Sequence, residues 1–403
     1  RRQRQMCIRD SHKITQCTYE KIEIEEKTEM SVVQPNATSG KKVLKKNFWK
    51  RLAGKEVSDF DAVDDAVPHI AFIVKGGIGD VVCNLFYIQV FSEKFGLEKS
   101  LDIYMEYDAD IRDGLLCSKS FFNRALPDKA MVVRDYDVVV HLVRLPSVLK
   151  FCRDKLQRLG LDELCDYLGY LERERQQNPI MFMSSSQGDA VSMRYAQLQN
   201  RRRPEEADLG NRLMMREKSF TLSCDGGSNA VLQKFGLEKG TYIVMQRGVG
   251  EADRFDGQTT RLWPAARYDE ACRFLKDSFP QYRLVQLGSN RDDALADVDL
   301  DLRGKTSFEE LKILLKEARL LLCCEGGMAH LRHFLGGDRS VVLFGPTDTD
   351  FYGYQENVNI CSGVCKGCEW LSCDWHKKCL RGFEVPLCFE ALKTVDVLRL
   401  VVM

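Results

Sequence analysis

Asp301-Leu-Arg-Gly-Lys-Thr306, Cys324-Glu-Gly-Gly-Met-Ala-His330 and Leu343-Phe-Gly-Pro-Thr347 decide how this chain reads. Leu311 to Leu320 repeats at helical spacing. Leu320 to Cys324 is a short continuous apolar run, as a strand buried on both faces has. Glu325-Gly326-Gly327 breaks the run, Met328 to Leu335 resumes the helical period, and Ser340 to Phe344 is the next strand, closed by Gly345-Pro346. A strand that feeds a glycine turn and then a helix presents free backbone N–H groups and the positive end of the helix dipole. Phosphate binds well in such a setting. In an open parallel sheet, the carboxyl edge of the strands is also where ligands sit.

Working outward, the N-terminal half shows the same alternation. His69 to Lys75, Leu101 to Tyr107 and Asp137 to Val143 read as strands. Gly76-Gly-Ile-Gly-Asp80 is a turn, Val81 to Phe95 a helix with an apolar face, and Phe151 to Glu174 is helical in period. Gln176 to Arg216 is polar, with Ser184-Ser-Ser186 and Arg201-Arg-Arg203, and reads as an excursion or long loop. A linker is expected near Gly226 to Gly240. Thr241 to Gln246 then opens a second alternating half, with a loop through Gly257, a helix from Trp263-Pro264 to Ser278, and a strand from Tyr282 to Leu287. Alternating strands and helices mean an α/β chain with doubly wound sheets. The expected divisions are residues 1–65, an N-terminal stretch outside the fold; 66–230, a first domain; 240–360, a second; 361–388, a cysteine segment; and 389–403, a closing amphipathic helix.

The order of segments from Asp301 to Thr347 resembles the heptosyltransferase-like glycosyltransferases of family 9. Their pattern runs Asp-Leu-x-Gly-Lys-Thr-Ser, then Asp-x-Gly-x-x-His, then Leu-Phe-Gly-Pro-Thr. This chain departs at Glu325, where the family usually has Asp, so its carboxylate is displaced by one methylene. The resemblance implies a GT-B fold: two Rossmann-like doubly wound domains facing a cleft, the first for the acceptor and the second for a nucleotide sugar. It also implies an inverting transfer of a sugar, heptose from ADP-heptose, to a bacterial surface glycan or a protein, without a catalytic metal.

Composition bounds the alternatives. At 403 residues the chain suits two domains. No apolar run approaches the roughly 20 residues that span a bilayer. The formal net charge is zero, which opposes a nucleic-acid partner held by counterion release. The opening dozen residues, around Met6 to Ser11, read as an artefact, with Met30 the expected start and no signal-peptide pattern. Residues 41–54 form a short basic amphipathic helix, in which Leu44, Phe48 and Leu52 recur among six lysines and arginines. It suits either the domain surface or peripheral contact with the inner membrane of a cytoplasmic protein.

Of 16 cysteines, six crowd into Cys361 to Cys388. A CxxC followed by two later cysteines fits a tetrahedral thiolate site, with buried free thiols the alternative. Family members related to autotransporter heptosyltransferases carry a structural, oligomer-forming iron finger there. By that resemblance Cys365, Cys368, Cys379 and Cys388 are the candidate ligands of an iron or zinc ion, and a homo-oligomer is expected.

The remaining site residues follow from motif and placement. Gly76, Gly77 and Gly79 allow close backbone approach on the acceptor side, by a ligand or by a packed helix. Asp80, at a helix start, is either a first-turn acid or, by resemblance, the general base that takes the acceptor's proton. Arg261-Leu-Trp-Pro264 matches the family's Lys/Arg-x-Trp-Pro, whose cation contacts the donor diphosphate; Thr259 and Thr260 precede it. Gly326, Gly327, Met328 and His330 form the phosphate-facing turn. Glu325 is the candidate for sugar hydroxyls and Asp292 for the ribose, while Thr306 and Glu309 read as a helix capping box. A non-catalytic nucleotide-sugar-binding or scaffold protein, assembled through its cysteines, is the rival reading.

Overall fold

The computed structural model describes residues 66–224, 227–248, 262–361 and Glu369. The basic helix of 41–54, Thr259 to Arg261, the proposed metal ligands and the closing helix lie outside the described residues. Among the described residues, no helix is long and apolar enough to cross a membrane.

The first half builds strands β1 (Ile70–Val74), β2 (Leu101–Met105), β3 (Arg124–Pro127), β4 (Val138–Leu142) and β5 (Pro146–Phe151). They form a five-stranded sheet in the order β3-β2-β1-β4-β5, parallel except for β5. Its helices are α1 (Ile78–Phe95), α2 (Ala109–Leu116), α3 (Arg153–Arg158), α4 (Asp162–Gln177) and α5 (Ser186–Leu198). The second half adds α6 (Ser228–Lys234), β6 (Tyr242–Gln246), α7 (Ala265–Ser278), β7 (Arg283–Gln286), β8 (Leu300–Asp301), α8 (Phe308–Glu317), β9 (Leu320–Cys324), α9 (Gly327–Phe334), β10 (Ser340–Phe344), α10 (Thr349–Tyr352) and β11 (Val358–Cys361). These strands form a six-stranded parallel sheet, β11-β10-β9-β6-β7-β8.

Both orders double back at a central pair, β1 with β4 and β6 with β9, as a doubly wound sheet does. The central strands β1, β6, β9 and β10 are buried along their whole length, which is why they read as unbroken apolar runs. By contrast β5 alternates buried and half-buried residues, as an antiparallel edge strand does, and β3 is a short exposed edge.

Three expectations need correction. Phe151 to Glu174 is not one helix: Phe151 ends β5, and Gly160, with φ +75°, breaks the rest into α3 and α4. Gln176 to Arg216 is not a loop. It contains α5, whose N-cap Ser185 accepts the Gly188 N–H at 3.2 Å, and its Arg201 and Arg203 are buried. The capping box of α8 belongs to Ser307 and Glu310, bonded reciprocally at 3.2 and 3.0 Å. Thr-Ser-Phe-Glu-Glu offers two registers, and burial of Phe308 in the first helical position selects the second; Glu309 pairs with Lys312 instead.

The two sheets meet through helices. Phe220 stacks on Phe86 at 5.9 Å and meets Phe334 edge-on at 5.4 Å, joining α1 to α9. Asp110 of α2 accepts the Phe308 N–H of α8 at 2.8 Å. Lys312, wholly buried, donates to the carbonyls of Gly114 (2.8 Å) and Ser223 (2.5 Å), so its ammonium is satisfied across the junction.

Candidate active site

The carboxyl ends of the four central strands open on one cleft of ≈ 1360 Å³. Gly76 and Asp80 follow β1, Arg144 follows β4, Gly248 follows β6, and Glu325 and Gly326 follow β9; all line it. The site is thus where both sheets double back, the position that strand order alone assigns to ligands.

Asp80 is the third residue of α1. Its Oδ2 accepts the Gly77 N–H at 3.3 Å, the capping role expected of a first-turn acid. Gly76, at φ +118°, leaves no room beside it: a Cβ there would lie 3.0 Å from the Asp80 Cβ. The second oxygen has a partner that sequence reasoning missed. Arg203 donates to Oδ1 at 2.7 Å, and while the Asp80 side chain stays 40% exposed, that of Arg203 is 1% exposed. Burial pushes the Asp80 carboxyl up, but the Arg203 guanidinium, helped by Arg144 and His330, outweighs it and holds the group below the usual carboxylate range. Arg203 also pairs with Glu206 at 3.2 Å. Glu206 pairs with Arg144 at 2.8 Å and accepts from Ser192 at 2.6 Å, and Arg144 reaches Asp189 at 3.2 Å.

In the second half, Glu325 is buried and accepts from the Thr347 hydroxyl at 3.1 Å. Gly327 packs against α1, where a Cβ would fall 3.2 Å from the Gly79 N. Gly76, Gly77 and Gly79 all line the cleft, and Gly79 also serves the second of the two expected uses, close helix packing. His330 is buried, and its Nδ1 faces the Tyr354 hydroxyl at 2.5 Å and the Cys83 thiol at 4.0 Å. Met328 and Thr306 line the cleft. Asp292 is boxed between Gly248 and Gly288, where any Cβ would lie within 2.5 Å of its carboxylate, and it accepts the Ser289 N–H at 2.8 Å. Arg261 lies outside the described residues. Nearby Trp263 is fully buried, its N–H directed to Cys324 Sγ at 3.3 Å and its carbonyl accepting from Arg247 at 3.2 Å.

Glu369 joins these residues from the cysteine segment. It accepts the Asp348 N–H at 3.1 Å and the Tyr352 hydroxyl at 3.2 Å, and burial pushes its carboxyl up to about 8, against the pull of Arg144. Two Asp-x-Asp triplets follow strands. Asp108 and Asp348 are occupied as helix N-caps, and Asp110 by the Phe308 N–H. Among the described residues, no group of three or more metal-ligating side chains is gathered.

Residues 221–374 match the model of glycosyltransferase family 9 (heptosyltransferase). The chain is similar in fold to the family 9 glycosyl transferase of Veillonella parvula, at 14% identity over 84% of this chain and 97% of that one, with TM-score 0.52. It is also similar to TibC, the iron-containing dodecameric glycosyltransferase of enterotoxigenic E. coli, at 15% identity over 83% and 75% of the two chains, with TM-score 0.53. No curated protein matches the chain in sequence. The matched region holds the β9 turn and Thr347, and the two sheets share the fold of these structures, so the chain is similar to family 9 glycosyltransferases through its second half.

Proposed function

We propose that the chain is an inverting transferase that moves heptose from ADP-heptose to a hydroxyl of a bacterial surface glycan, such as lipopolysaccharide core, or of a protein. The acceptor oxygen attacks the anomeric carbon, the bond from that carbon to the diphosphate oxygen breaks, and the hydroxyl proton passes to Asp80. The observation that carries this reading is that Asp80, after β1, and the Glu325–Met328 turn, after β9, line one cleft. Asp80 is held ionised there, as a base must be before it accepts a proton. Support for the donor comes from the family match and from TibC, which has been solved with ADP-D-β-D-heptose.

Asp292 is proposed for the ribose, Glu325 for the sugar hydroxyls, Arg261 with Thr259 and Thr260 for the diphosphate, and the turn through His330 for positioning the donor. An iron or zinc ion on Cys365, Cys368, Cys379 and Cys388 is proposed as structural. The reading also proposes a cytoplasmic homo-oligomer whose basic segment 41–54 touches the inner membrane. Incubating the protein with a panel of nucleotide sugars and reading retained donor and released nucleotide by mass spectrometry tests the reading. Release of ADP from ADP-heptose is expected. Donor retained without turnover would favour the non-catalytic alternative.

A further inference from the structure

Arg201-Arg-Arg203 follows α5 and belongs to neither sheet, yet its surroundings fix it firmly. Arg201 donates to the carbonyls of Glu206 (2.8 Å) and Asp208 (2.7 Å). Glu205 accepts the Arg202 N–H at 2.9 Å, and the Asp208 carboxylate accepts the N–H groups of Leu213 (2.8 Å) and Met215 (3.1 Å). The segment is therefore clamped to itself, and Arg203 projects from a rigid base. One end of its guanidinium meets Asp80 Oδ1 at 2.7 Å and the other meets Glu206 Oε2 at 3.2 Å. Glu206 cannot follow Arg203 if it moves, because Arg144 holds it through two bonds, of 2.8 and 3.1 Å, and Ser192 through a third.

We propose that Arg203, anchored by Glu206, is a positioning residue for Asp80: it occupies Oδ1 and leaves Oδ2 to receive the acceptor's proton. Oδ2 has the weaker constraint, a 3.3 Å bond to the Gly77 N–H, and the acceptor hydroxyl replaces it. The inference rests on Asp80 being the base. The groups that face Asp80 are Arg203, Arg144 and His330 on the positive side, and Asp189, Tyr107 and Cys83 on the other, with Glu206 behind Arg203. With Arg203 present the balance favours the carboxylate. Without it the carboxyl would rise from that lowered position, with Arg144 and His330 left to oppose burial, so protonation would compete with catalysis at a higher pH.

The test compares Asp80→Asn, Arg203→Gln and Arg203→Lys by thermal melting and by pH profiles of kcat/KM with ADP-heptose and an acceptor. Asp80→Asn should remain folded and lose turnover; if it keeps turnover, the reading of Asp80 as base fails and the inference with it. If Asp80→Asn is inactive, Arg203→Gln should move the acid limb of kcat/KM up by about one pH unit, a roughly tenfold loss below the limb, with Arg203→Lys moving it less. A folded Arg203→Gln whose acid limb stays in place, or whose activity falls equally at every pH, would overturn the positioning role alone. Should Arg203→Gln not fold, Arg203→Lys decides: a raised limb supports the role and an unmoved one refutes it.

Discussion

Gly79 and Gly327 touch where the two sheets' helices meet, each in the first turn of its own helix. A Cβ on Gly79 would lie 3.1 Å from the Gly327 Cα and 2.7 Å from the His330 ring. The missing side chains let α1 and α9 approach backbone to backbone, which brings Asp80 and the β9 turn to one cleft.

Gly79→Ala should therefore act as overpacking at a junction rather than in a core. We expect a loss of about 1–3 kcal/mol in chemical denaturation. Unchanged stability would show that the junction opens without cost.

Asp80→Asn keeps the shape of the side chain and removes its charge. Turnover is expected to fall roughly 100-fold or more while calorimetric affinity for ADP-sugar stays within about twofold. Loss of donor affinity in parallel with turnover would move Asp80 from proton acceptor to ligand contact.

Arg261→Ala tests the diphosphate contact. ADP and ADP-sugar should both bind more weakly, by on the order of 2 kcal/mol or about 30-fold. An ADP affinity equal to wild type would remove Arg261 from the site.

Asp102 gives a pH signature. It is buried, and although burial pushes its carboxyl up, bonds from Arg124, Tyr136 and Asn123 outweigh that and hold it below the usual range. A carboxyl lowered in the folded state stabilises fully above its unfolded value, about 3.9, and loses that contribution as pH falls through the lowered folded value. Asp102→Asn should cost about 2 kcal/mol near pH 7, and the gap to wild type should close on the way to pH 3. A gap that stays constant with pH would mean that packing, not ionisation, sets the cost.

Elemental analysis addresses the cysteine segment. About one iron or zinc per chain is expected, with lower melting temperatures in Cys365→Ser and Cys379→Ser, and no immediate loss of turnover on adding a chelator. Metal-free protein prepared without chelator would return these residues to ordinary thiols.

The strands of the second sheet were legible because burial on both faces writes itself as an unbroken apolar run. Leu320 to Cys324 and Ser340 to Phe344 fall on β9 and β10 to the residue. The edge strand β5 escaped because its weak alternation runs straight into helical spacing at Phe151. The place of Asp80 in the cleft was legible from its glycine turn. Arg203 was not, since 123 positions separate the pair and nothing in a polar stretch marks which arginine turns inward. Arg332 hid in the same way: it reads as an ordinary helix residue, yet is buried and donates to the carbonyls of Leu315, Ala318 and Asp338, closing the end of α8.

Lys312 ties the two halves at one edge of their junction. A wide swing of one half away from the other would break its bonds to the Gly114 or Ser223 carbonyls, leaving Glu309 of the same helix as its partner. The two halves are tied at that edge, so a ligand entering the cleft meets a junction that resists wide opening. X-ray scattering from the free and ADP-loaded protein should then give the same radius of gyration.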